Sequence, residues 1–97
     1  MATFQDLAAT IREKIPSMTK FKIGKTGQEL DERYRQEHEV NYKNIVSLGN
    51  STSKEVINNC EEYLTKEFIN NSKCDNKQIG GGDMGSSSIY IIHLAWN

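Results

Sequence analysis

Hydrophobic positions change period five times along this chain. Phe4, Leu7, Ala8, Ile11 and Ile15 recur every 3.6 residues, which predicts an amphipathic helix. Thr3 with Asp6 opens it in a capping-box-like spacing, and Pro16 closes it. Lys20 to Gly24 reads as a short strand, and Lys25-Thr26-Gly27 as a turn. From Gln28 to about His38 a second helix is expected, with Leu30, Arg33, Tyr34 and Glu37 on one side. Lys43 to Gly49 reads as a second strand. A third helix follows Ser51-Thr52-Ser53, with Thr52 and Glu55 in capping-box spacing, and runs to about Asn70. Its apolar arc is Val56, Ile57, Cys60, Tyr63, Leu64 and Phe68, into which Glu67 falls without an evident reason. Ser88 to Trp96 alternates with both faces largely apolar, so this last strand belongs in the centre of a sheet.

The order helix, strand, helix, strand, helix, strand predicts a small α+β domain with a three-stranded sheet. Ninety-seven residues allow one core and one domain. The longest apolar run, Ile89 to Ile92, is far too short for a membrane span, and no signal peptide is expected at an N-terminus carrying Asp6 and Glu13. Twelve Lys and Arg against thirteen Asp and Glu give a net charge of −1, which excludes a protein that holds nucleic acid by bulk charge alone. Cys60 and Cys74 form no CxxC pair and only two histidines are present, which disfavours zinc and leaves a reducing cytoplasm as the expected setting.

Few residues outside the core pattern carry chemistry. Arg33 shares the inward face of its helix, where an arginine either snorkels past the core edge or serves a site. Glu61 lies at the margin of the apolar arc, whereas Glu62 points to solvent. Cys60 reads as core, and His93 on an apolar strand as a core histidine. The stretch 77–87, with Gly80-Gly81-Gly82 and Gly85-Ser86-Ser87-Ser88 around it, lacks the spacing of a phosphate-binding fingerprint and reads first as a flexible linker.

Lys22-Ile23-Gly24-Lys25-Thr26 followed by Glu32-Arg33-Tyr34 resembles the second half of the GIY-YIG nuclease signature, with Arg33 nine residues after Gly24. Glu61-Glu62-Tyr63-Leu64 is similar to that family's metal-binding helix, Glu61 standing in the ligand position, and Asn76 matches its later asparagine. The opening half is absent before Lys22, but Ser88-Ile89-Tyr90-Ile91-Ile92 at the C-terminus resembles it, with serine for glycine. The resemblance thus implies a circular permutation spanning about Lys20 to Leu94, with residues 1–16 as an added helix and 77–87 joining the old termini. Lys22 stands where many members have the second signature tyrosine.

The resemblance implies a three-stranded antiparallel sheet flanked by helices and a metal-dependent endonuclease acting on nucleic acid, DNA first. Glu61 would hold one Mg²⁺ or Mn²⁺, and Arg33 would stabilise charge on the scissile phosphate. Tyr90 would handle the attacking water, helped by a cation from Lys25 or Lys22, and Asn76 would brace the site. Two other readings stay open: a catalytically idle relative that binds nucleic acid or a nucleotide, and a protein-interaction module.

Overall fold

The computed structural model of the chain describes residues 1–29, 32, 34, 35 and 41–97. The helix expected from Gln28 to His38 falls mostly outside them, Leu30 and Arg33 included. Helix α1 spans Phe4–Lys14, with the Thr3 hydroxyl accepting from the Asp6 amide at 3.1 Å, and a 3₁₀ turn over Ile15–Ser17 ends it at Pro16. Strand β1 is Phe21–Thr26, β2 Asn44–Ser51, α2 Lys54–Phe68 and β3 Tyr90–Trp96. Among the described residues no helix is long and apolar enough to cross a membrane.

The sheet order is β1-β3-β2, with both pairings antiparallel. The C-terminal strand is central, as its two apolar faces predict. Tyr90, Ile92 and Leu94 enter the core with Phe21 and Ile23 of β1, while His93 and Ala95 on the other face are fully buried as well. Helix α2 covers the first face with Ile57, Cys60, Leu64 and Phe68, and α1 packs on α2 through Leu7, Ala8 and Ile11.

Several local expectations need correction. Ser53, not Thr52, caps α2: its hydroxyl accepts from the Val56 amide at 3.3 Å. The Ser51 hydroxyl takes the Ser53 amide at 3.0 Å, so the chain turns one residue later than the capping-box spacing suggests. The helix ends at Phe68, and Val56 is 36% exposed, which narrows the buried arc. Glu67 accepts from Arg12 at 2.9 Å, a tie to α1 that accounts for a charge within the apolar pattern.

Gly24 pairs with His93 across β1 and β3, and a Cβ at position 24 would lie 2.4 Å from the imidazole Cε1. The buried ring fills the space a side chain would need. Gly24→Ala should therefore destabilise by about 1–3 kcal/mol, seen as a melting temperature lower by roughly 5–20 °C. An unchanged melting curve would show that the ring can move aside.

Alkali should also unfold the chain. Burial pushes the Cys60 thiol from its ordinary 9.0 up to about 11. Burial, then the hydrogen bond to Asp75 at 2.6 Å, raises the Tyr42 hydroxyl above its ordinary value of 10.0. The unfolded chain releases these protons while the folded one still holds them. Stability is thus full below about pH 9 and falls as pH rises through 11. Urea midpoints across that range should drop, and less steeply in Cys60→Ala or Tyr42→Phe.

Candidate active site

The outer edge of β1 shapes the site. Residues 73–76 run beside it: the Phe21 amide donates to Lys73 O at 2.9 Å, and the Asp75 amide to Phe21 O at 2.8 Å. Asn76 extends this pairing with its side chain. Its Oδ1 accepts from the Ile23 amide at 2.9 Å and its Nδ2 donates to Ile23 O at 2.8 Å. The carboxamide thus mimics one more strand residue, and beyond it a cleft of about 450 Å³ opens beside Gly24 and Lys25.

Alternation along β1 turns Phe21, Ile23 and Lys25 toward α2 and Lys22 the other way. Asn58 and Glu61, three residues apart on α2, meet Lys25 there. Lys25 Nζ donates to Asn58 Oδ1 at 2.8 Å and lies 3.2 Å from Glu61 Oε1. The Lys25 and Glu61 side chains are only 7% and 10% exposed. An ammonium has three donors, so two acceptors on one helix face fix its direction and leave a third N–H for another group. Burying such a pair costs desolvation that its attraction scarcely repays, so stability alone explains it poorly.

The opposite wall is the glycine-rich stretch, which is tied down at three places rather than loosely connecting its ends. The Gly80 amide donates to Thr65 Oγ1 at 2.9 Å, and Thr65 in turn donates to Glu61 O at 2.8 Å on the same helix. Asp83 pairs with Lys54 at 2.8 Å, and Ser87 Oγ donates to Gly27 O at 2.7 Å. Gly80, Gly81 and Gly82 all have positive φ (66°, 93° and 80°), which side-chain-bearing residues rarely adopt. All three glycines line the cleft, with the Gln78 side chain lying over Gly81.

Lys25 and Glu61 thus meet, and Asn76 adjoins them, its amide spent on the strand edge. Lys22 and Lys77 are exposed and are among the residues lining the cleft. Tyr90 is not among the residues lining the cleft. It is 5% exposed, and its hydroxyl accepts from the Ser87 amide at 3.0 Å, at the end of the loop. Arg33 lies outside the described residues. Asn58 and Thr65 went unnoticed in the sequence. Their positions three before and four after Glu61 put them on its helix face, the one signal that could have found them.

Among the described residues no group of three or more His, Cys, Asp or Glu is arranged to hold a metal ion, so a closed protein cage is not what they form. The donor set suits a different arrangement, in which Mg²⁺ takes one carboxylate and fills its remaining positions with water and substrate oxygens. Glu61 is the carboxylate that could serve so on the wall of the open cleft, where it is already paired with Lys25. Asp75 already accepts the Tyr42 hydroxyl, and Asp83 is engaged by Lys54. Comparison of the chain with protein-family models, with curated proteins and with solved structures finds no match.

Proposed function

We propose that this chain is a metal-dependent nuclease of the GIY-YIG type, circularly permuted, that hydrolyses phosphodiester bonds in nucleic acid. The observation that carries the reading is the Lys25–Glu61 pair, a carboxylate and an ammonium 3.2 Å apart on the wall of a solvent-connected cleft. The antiparallel neighbourhood of β1 and β3 is compatible with the permuted order.

Glu61 would hold the cation, Mg²⁺ or Mn²⁺, which supplies Lewis-acid charge near the leaving oxygen when bound. The remaining N–H of Lys25 orients a non-bridging phosphate oxygen, with Asn58 aiming it. Arg33 adds forked hydrogen bonds to the same phosphate, a role that rests on the resemblance alone. Water oxygen bonds to phosphorus, the bond to the leaving sugar oxygen breaks, and one proton leaves the water as another reaches the leaving group. Tyr90, which does not line the cleft, is the candidate for orienting that water on the resemblance alone. The DNA substrate and a reducing, cytoplasmic setting belong to the same reading, with Cys60 and Cys74 as free thiols.

A second reading, an idle relative that binds nucleic acid or a nucleotide, is favoured by two observations. Lys22 replaces the second signature tyrosine, and the Tyr90 hydroxyl accepts from the Ser87 amide. A panel of single- and double-stranded DNA and RNA, with Mg²⁺, Mn²⁺ or chelator, separates the two. Metal-dependent cleavage is the expected result. Retained binding without turnover would transfer the chain to the second reading.

A further inference from the structure

The walls of the cleft restrict what can reach Lys25 and Glu61. On one side stands the edge of β1, pinned by Asn76. On the other stands the glycine loop, fixed to α2 at Gly80 and Asp83 and to the end of β1 at Ser87. Opening the loop to admit a wide ligand would strain the Gly80 tie to α2, the one nearest Glu61. The space between, about 450 Å³, is that of a pocket for one small-molecule-sized group such as a nucleotide. Both reactive side chains are nine-tenths buried at its base.

Charge leads the same way. A net charge of −1 gives the chain no surplus with which to hold a duplex by its backbone. The exposed cations lining the cleft are Lys22 on the strand and Lys77 on the loop, while two of the carboxylates there, Asp75 and Asp83, are engaged by Tyr42 and Lys54. On the same loop Gly82 has nothing within 4 Å of where a Cβ would stand, so a sugar-phosphate chain can approach its backbone closely.

We infer that the cleft takes single-stranded nucleic acid, threading one nucleotide and its phosphodiester between Lys22 and Lys77 onto Lys25. A duplex holds its two strands together and is stiff over this length, so it must fray or extrude a nucleotide before a phosphate reaches the base of the cleft. The inference rests on the proposed function, whose substrate it narrows.

The test is fluorescence anisotropy of the full chain with an end-labelled 12-nucleotide strand and with the same strand annealed to its complement, in chelator and in Ca²⁺. The single strand should bind at least about ten times more tightly. Its affinity should fall with salt at a slope of about −2.1, from the Lys22, Lys77 and Lys25 contacts at roughly −0.7 each. Lys22→Ala with Lys77→Ala, both exposed and outside the core, should flatten that slope to about −0.7, the Lys25 share. Equal or tighter binding of the duplex overturns the inference, whatever the cleavage assay gives, and so does a slope the double variant leaves unchanged. Binding to neither form overturns it too. Single-strand preference in a chain that cleaves nothing supports the inference and removes the nuclease reading, so the two fail separately.

Discussion

Glu61→Gln should remove metal-dependent cleavage, and Glu62→Gln should leave it nearly intact. Both carboxylates sit on α2, one residue apart, but only Glu61 turns into the cleft, 8% exposed, while Glu62 faces solvent. A hard cation needs the charge that an amide lacks. Lewis-acid stabilisation is worth several kcal/mol, so the loss should be about 10³-fold in rate. The amide oxygen of glutamine can still accept from Lys25, and folding should survive, as circular dichroism would report. If the single variant proves unstable because Lys25 is left without a counter-charge, Lys25→Gln with Glu61→Gln removes both charges together. Equal losses from Glu61→Gln and Glu62→Gln would mean that neither carboxylate holds the ion.

Tyr90→Phe should slow cleavage by roughly 10²–10⁴-fold, the usual worth of a proton-handling group. Stability should change by no more than about 1 kcal/mol, since the ring stays in the core and one hydrogen bond is lost. The placement of Tyr90 makes this a sharp test. Its hydroxyl accepts from the Ser87 amide and stands behind the loop, with its own proton still available to donate. An anchoring role alone would leave the rate near that of the wild type. In that event Lys22→Ala becomes the informative change, because Lys22 stands where the nuclease family that the chain resembles has its other tyrosine, and it lines the cleft.

Local pattern determined much of this protein. The 3.6-residue period placed α1 and the buried face of α2, including Glu61 inside and Glu62 outside, because a helix repeats its faces whatever packs on it. Alternation with two apolar faces made β3 central for an equally local reason: such a strand must be covered on both sides. Contacts between distant residues belong to the tertiary structure alone. Asn76 completes the edge of a strand 53 residues away, which no spacing rule anticipates in a polar stretch. Lys25 looked like a turn residue until β1 ran on to Thr26 and set it against Asn58 and Glu61. The glycine stretch has the composition of a linker, and what makes it a wall is three ties to Thr65, Lys54 and Gly27. Composition reports how freely a segment can bend; only the partners that folding brings within reach decide where it is held.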